Sequence, residues 1–233
     1  MSFLLDLLYP RRCSVCGELL PFGATCCPCT KQIVRRVARP ICTHCGVEQA
    51  LCVCGEENGR SLRHITAPFL YTDQIKYQLR ALKFQGAKRY AKPLGLQMAL
   101  CFVECFPNAD FDFVTFVPMT KRSQKQRGFN QSELLAKSVA KAFFMPVTPL
   151  LCKTSESEHQ SRLSAEERQK NLTGKIRVSD AALVRGKTVL LCDDIKTTGA
   201  TLWECEQALL SAGATDVYCL CCAVSDYSTD VVF

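Results

Sequence analysis

The sequence predicts an α/β fold: a mostly parallel sheet flanked by helices, with a small Cys-rich module in front of it. Three observations predict it. Residues 187–195 and 216–224 are near-continuous apolar runs, as expected of strands buried on both faces of a parallel sheet. Segments of helical spacing alternate with these strands. Nine of the seventeen cysteines, at 13, 16, 26, 27, 29, 42, 45, 52 and 54, fall near the start. The chain has 233 residues, of which 48% are hydrophobic and 22% charged. That is enough for one α/β domain plus an appendage, and too apolar for a disordered chain.

The polar, Gly-containing stretch 55–61 reads as a linker, and the division is placed at 1–58 and 59–233. A strand is expected over 64–71, at a sheet edge because Pro68 cannot donate to a ladder. Ile75, Leu79 and Leu82 give helical spacing over 73–84. A second helix is expected over 93–106 and a strand over 111–117, ending at Pro118. Residues 131–144 read as a helix with Leu135, Val139 and Ala142 on one face, followed by a short strand near 147–152. The polar stretch 153–175 includes a short expected helix at 165–171. After the buried strand 187–195, residues 200–212 read as a helix with Leu202, Cys205, Leu209 and Ala212 on one face. Gly213 ends it. Cys192, Cys219, Cys221 and Cys222 lie inside the last two apolar runs and read as small core residues.

The early cysteines have a different pattern. Cys13-x-x-Cys16 with Cys26-x-x-Cys29 forms one set of four thiols, and Cys42-x-x-Cys45 with Cys52-x-Cys54 a second. Close pairs on tight knuckles, two pairs to a site, are the pattern of tetrahedral Zn²⁺. The second set departs from it, because Cys52 and Cys54 are one residue closer than usual. His44 and Cys27 are alternative ligands, and pairing across the sets is compatible with the spacing. A segment this small has little core, so zinc is expected to be structural and to supply its folding energy.

No run reaches the ~18 apolar residues of a membrane span. The opening apolar run is short, and Arg11 and Arg12 follow it instead of preceding it, so no secretion signal is read and a cytoplasmic protein is expected.

The informative chemistry lies at 188–201. Asp193 and Asp194 close a buried strand, and Lys196-Thr197-Thr198-Gly199-Ala200-Thr201 turns into a helix. Ligands of open α/β sheets gather at the carboxyl ends of strands. The first N–H groups of a helix are unpaired and electropositive, Gly199 admits an anion close to the backbone, and three threonines add hydroxyls. The loop is a phosphate cradle, without the Gly-x-x-x-x-Gly-Lys pattern of a P-loop. The adjacent carboxylates can accept from vicinal hydroxyls or hold a hydrated Mg²⁺. A 5-phosphoribosyl group offers hydroxyls and phosphate together.

This segment resembles the 5-phosphoribosyl-1-pyrophosphate (PRPP) motif of type I phosphoribosyltransferases. The likeness extends to Val117-Pro118-Met119, to Arg122 and Arg127-Gly128-Phe129-Asn130-Gln131, and to Gln160, Leu163, Arg168 and Asn171. With the Cys-rich start, the whole chain resembles the ComF family, which includes ComFC- and GntX-type proteins. The resemblance implies a type I phosphoribosyltransferase-like fold behind a double zinc ribbon. It implies that Asp193 and Asp194 hold the ribose hydroxyls and that Lys196 to Thr201 bind the 5-phosphate. Lys196 occupies a position that varies in such loops. The loop after Val117 and Pro118 would meet pyrophosphate, with Arg122 and Arg127 as candidates, and the stretch 153–171 would cover the site. It further implies Mg²⁺-dependent pentosyl transfer, and a link to natural competence with single-stranded DNA and competence-machinery proteins as partners.

Charge leaves several readings open. The formal net charge is +7, which permits anionic partners without requiring them. Lys121, Arg122, Lys125 and Arg127 crowd together after a strand and suit pyrophosphate, nucleic acid or a solvated loop. Lys31, Arg35, Arg36 and Arg39 lie between the Cys sets and suit a DNA backbone or solvent. Lys76, Arg80 and Lys83 share a helix face that reads as solvated. Three functional classes fit: a phosphoribosyltransferase of unknown acceptor, a non-catalytic PRPP-sensing or nucleic-acid-binding module, and a zinc-ribbon adaptor between proteins. With only His44, His64 and His159 in the chain, a His-based mechanism has little support.

Overall fold

A computed structural model describes residues 42, 62–84, 88–153 and 176–225. The expected zinc ligands other than Cys42, and the expected helix at 165–171, lie outside them. The elements in order are β1 (His64–Thr66), β2 (Phe69–Leu70), α1 (Asp73–Phe84), a 3-10 turn (Lys88–Tyr90), α2 (Ala91–Cys105), β3 (Phe113–Phe116), α3 (Lys121–Arg127), α4 (Gln131–Ala142), β4 (Leu151–Lys153), β5 (Ile176–Val178), α5 (Ala181–Val184), β6 (Thr188–Lys196), α6 (Ala200–Ser211) and β7 (Asp216–Val224).

The main sheet runs β1-β7-β6-β3, with β2 also paired to β7. All of these pairings are parallel. Its central strands are the two apolar runs of the sequence. β1 and β2 keep one register on β7: His64 lies opposite Tyr218 and Phe69 opposite Ala223. They are one edge strand interrupted at Ala67–Pro68, where the proline removes a donor.

Alternation along the strands divides the core in two. Leu190, Cys192, Leu220 and Cys222 face one side and meet Ile75, Leu79 and Leu82 of α1, Leu94, Met98 and Phe102 of α2, and Leu135 and Val139 of α4. Val189, Leu191, Val217, Cys219 and Cys221 face the other and meet Leu202, Cys205 and Leu209 of α6. The core reading of Cys192, Cys219, Cys221 and Cys222 holds, since all four are fully buried. Burial pushes their thiols up, which keeps them protonated and unreactive.

Two expectations change. The strand near 147–152 is displaced to Leu151–Lys153, and it pairs antiparallel with β5 in a separate two-stranded sheet. Val147 makes only an isolated bridge to Val114. The basic segment after Pro118 is helical: Thr120 caps α3 by accepting from Ser123 N–H, and Gly128 ends it at φ 78°, a left-handed position that suits glycine.

α2 and α4 pack closely. A Cβ on Gly95 would lie 2.4 Å from Ser138 Cβ, and Ser138 Oγ donates to Lys92 C=O at 2.9 Å. The absent side chain sets how closely α2 approaches α4, the helix that carries the site residues at its start.

Candidate functional site

β3 ends at Phe116, opposite Cys192 of the parallel β6, and β6 runs on past it through Asp193 and Asp194 to Lys196. Val117 N–H extends the pairing to Cys192 C=O at 3.0 Å. Val117 and Pro118 are buried at this end. Asn130 fastens the start of α4 to it: its side-chain NH₂ donates to Val117 C=O at 2.9 Å, while its Oδ1 accepts from Ser132 N–H at 2.9 Å. The asparagine is thus helix cap and strap at once.

Asp193 and Asp194 are held by residues from two helices. Ser132 Oγ donates to Asp193 Oδ1 at 2.8 Å, and Asp194 N–H donates to the same oxygen at 2.8 Å. Asp194 Oδ2 forms an ion pair with Lys83 Nζ, from the last turn of α1. Both aspartates are nearly buried, at 8% and 5% exposure. Burial pushes the Asp193 carboxyl up, to about 8, and the adjacent Asp194 charge adds to this, while the hydrogen bonds from Ser132 and Asp194 N–H oppose it.

The loop after them is built for close approach. Gly199 has φ 78° and caps α6, and a Cβ there would lie 3.1 Å from Lys196 Cε. Lys196 is buried beneath the turn, whereas Thr197, Thr198 and Thr201 are exposed. Thr198 Oγ1 accepts from Ala200 N–H at 3.4 Å. The exposed threonine hydroxyls and the first turn of α6 therefore face outward beside the carboxylates, a polar cradle of the kind that receives anions.

A match to the model of the phosphoribosyl transferase domain covers residues 130–229, and a match to the double zinc ribbon domain covers residues 4–62. The chain is 28% identical to competence protein ComFC of Bacillus subtilis, over 84% of this chain and 81% of that protein. It is 26% identical to DNA utilization protein YhgH of Escherichia coli O157:H7, over 92% and 98%. It is 26% identical to competence protein F of Haemophilus influenzae, over 88% and 93%. This chain is a homologue of the ComF proteins. The parallel sheet and its flanking helices carry the phosphoribosyl transferase match, and the double zinc ribbon match precedes it in the chain.

In this ComF homologue the phosphoribosyl transferase match begins at Asn130, the residue that straps α4 to β3. Arg122 and Arg127 precede the matched span. Arg122 is exposed on α3 and makes no hydrogen bond or ion pair among the described residues. Arg127 donates to Gln131 Oε1 at 3.4 Å, and its guanidinium stands 5.1 Å from the Phe84 ring centroid. Phe84 neighbours Lys83, so α1 reaches both the carboxylates and the basic helix. Lys83 and Ser132 were not legible as site residues. Ser132 carried a weak signal, as the second residue of a helix directly after the quoted Asn130-Gln131. Lys83 carried none, because its helical stripe reads as solvated.

The donor set can be compared with Mg²⁺. Among the described residues no three His, Cys, Asp or Glu side chains converge. Two adjacent carboxylates without a dedicated cage suit a hard cation that brings most of its ligands as water and substrate phosphate. For zinc, only Cys42 of the expected ligands is described. It is half-buried against the cluster around Val189 and Leu191. Among the described residues no helix is long and apolar enough to cross a membrane.

Proposed function

We propose that residues 193–201 bind PRPP and that the chain is a Mg²⁺-dependent phosphoribosyltransferase of unknown acceptor. The observation that carries this reading is the joint placement of two buried, oriented carboxylates and the glycine-capped turn that follows them. Asp193 and Asp194 would accept from the ribose hydroxyls. Thr197, Thr198, Thr201 and the N–H groups of 196–201 would take the 5-phosphate, with Lys196 supporting the turn from beneath. Arg127 and Arg122 would face the pyrophosphate, beside Val117 and Pro118. Residues 153–171, most of them outside the described residues, would cover the site and exclude water.

Displacement of pyrophosphate from C1 of ribose passes through an oxocarbenium-like state. Bound Mg²⁺ would withdraw charge from the departing pyrophosphate. The chain's own residues would fix the ribose through its hydroxyls, hold the phosphate and present cations to the leaving group. The full chain should bind PRPP in the presence of Mg²⁺ by calorimetry, and Asp193→Asn with Asp194→Asn should abolish it. Unchanged affinity in the double variant overturns the reading. Turnover is tested by pyrophosphate release with PRPP and Mg²⁺, with and without single-stranded DNA and candidate acceptors.

The names of the relatives support a cellular setting. Proteins named for competence and DNA utilization match over 84% to 92% of this chain. We therefore place this chain in the handling of single-stranded DNA, inside the cell and alongside competence-machinery proteins. The same names favour a second reading, in which the site senses PRPP without turnover and the chain acts as a nucleic-acid-binding adaptor. In that case PRPP binds, no pyrophosphate is released, and affinity for single strands falls steeply with salt. The division at 1–58 and 59–233 belongs to this proposal. The first unit would hold structural zinc through Cys13, Cys16, Cys26, Cys29, Cys42, Cys45, Cys52 and Cys54.

A further inference from the structure

Lys83 ends α1, and its ammonium meets Asp194 Oδ2. The lysine side chain is 20% exposed and that of the aspartate 8%. A carboxylate this shielded needs a counter-charge, and breaking such a pair by removing one partner costs far more than breaking a surface pair. Yet the proposed ligand asks the same carboxylate to accept from ribose hydroxyls. The oxygen that takes the ammonium has one acceptor site fewer to offer a sugar hydroxyl. The Lys83 stem is flexible, and its head is a compact, rotatable charge. The ligand brings its own anionic groups to the neighbourhood.

We propose that Lys83 is an exchangeable counter-ion: it neutralises Asp194 while the site is empty and transfers to the ligand's phosphate charge when Asp194 turns to the sugar. This rests on the PRPP reading for the identity of the ligand, but not for the first half of the exchange. In the empty protein, Lys83 occupies the anionic position that a free divalent cation would seek. A metal ion arriving alone must displace it, whereas one arriving with pyrophosphate supplies the anion that draws the lysine away. Lys83 thereby couples entry of metal to entry of ligand, and acts as a positioning residue for Asp194.

The test uses the full chain, Lys83→Met, Lys83→Gln, and Lys76→Met as a control on the same helix. Glutamine keeps an N–H donor for Asp194 and removes the charge, so it serves if the methionine variant does not fold. Two probes are titrated calorimetrically: Mn²⁺ alone, and inorganic pyrophosphate alone. Mn²⁺ should bind roughly tenfold or more tightly to the Lys83 variants than to the wild type, and pyrophosphate roughly tenfold more weakly. Lys76→Met should change neither. Unchanged Mn²⁺ affinity, or unchanged pyrophosphate affinity, in a folded Lys83 variant overturns the exchange. If Mn²⁺ binding tightens while PRPP fails to bind the wild type, the ligand reading falls and the counter-ion role of Lys83 stands. If PRPP binds and needs both aspartates while Mn²⁺ is indifferent to Lys83, the ligand reading stands and the exchange falls.

Discussion

Ser132 Oγ donates a 2.8 Å hydrogen bond to Asp193 Oδ1, joining the first turn of α4 to the carboxyl end of β6. The serine is 2% exposed, so its hydroxyl and the carboxylate have little water to turn to. Ser132→Ala should cost about 1–3 kcal/mol, the range for leaving a buried polar group without its partner. Urea unfolding of the unliganded chain checks this. A loss below ~0.5 kcal/mol would mean that the bond does not hold the carboxylate in solution.

Asp193 also makes stability depend on pH. Burial and the Asp194 charge raise its folded value from 3.8 to about 8. A raised folded value favours the protonated form, so its contribution to stability is fully present below about pH 4. That contribution is lost as pH rises through about 8. Asp193→Asn carries no proton to lose. The unliganded variant should therefore lose less stability than the wild type between pH 5 and pH 9, measured by urea midpoints. Parallel pH profiles for the two proteins would contradict this.

Gly199 is left-handed, with Lys196 Cε directly behind it. Gly199→Ala should cost about 1–2 kcal/mol in stability, from the left-handed strain of an L-residue. It should also weaken binding of phosphate-bearing ligands, because the turn must shift to relieve the contact. Calorimetry with PRPP and Mg²⁺ checks the second effect.

Gly95 makes a prediction about packing alone. With Ser138 Cβ 2.4 Å from where its side chain would begin, Gly95→Ala must push α2 from α4. The expected cost is about 1–3 kcal/mol, as for other overpacked sites. Because α4 carries Ser132 and Asn130, ligand affinity should fall with it. Gly95→Ala together with Ser138→Gly should recover ligand affinity, with stability still short by about 1 kcal/mol for a glycine inside α4.

Metal content checks the first unit. The eight paired cysteines predict two Zn²⁺ at four thiolates each, or one if only Cys13, Cys16, Cys26 and Cys29 are filled. Native mass spectrometry counts them. Chelation should make residues 1–58 the first to be cleaved by protease, because metal binding supplies their folding energy. A metal-free chain equally resistant to protease would refute this.

Much of the sheet was legible because β6 and β7 are buried on both faces, which favours near-continuous apolar runs rich in β-branched residues, leucine and cysteine. Asp193 and Asp194 were legible for the complementary reason: two acids ending such a run have no structural use there. β4 and β5 were harder. Each has three residues, too few for a period to register, and each finds its partner far along the chain. α3 was hidden by its composition, since Lys-Arg-Ser-Gln-Lys-Gln-Arg buries no residue and so shows no apolar stripe. Lys83 illustrates the deeper limit. Its stripe with Lys76 and Arg80 is indistinguishable from a solvated face until the fold brings the end of α1 to the end of β6.

The strap from Asn130 to Val117 C=O has a consequence for how this protein can vary. The bond pinches the chain at the two ends of the excursion 118–129, so the excursion leaves and returns at a fixed neck. Residues can be inserted or removed between those ends without moving the strand that presents the carboxylates, and lengthening a closed loop is thermodynamically mild, about 0.6 kcal/mol per doubling. The segment between the two ends can therefore change in length behind one amide clasp, while Arg127 stays tied to Gln131 and Phe84 at its far end.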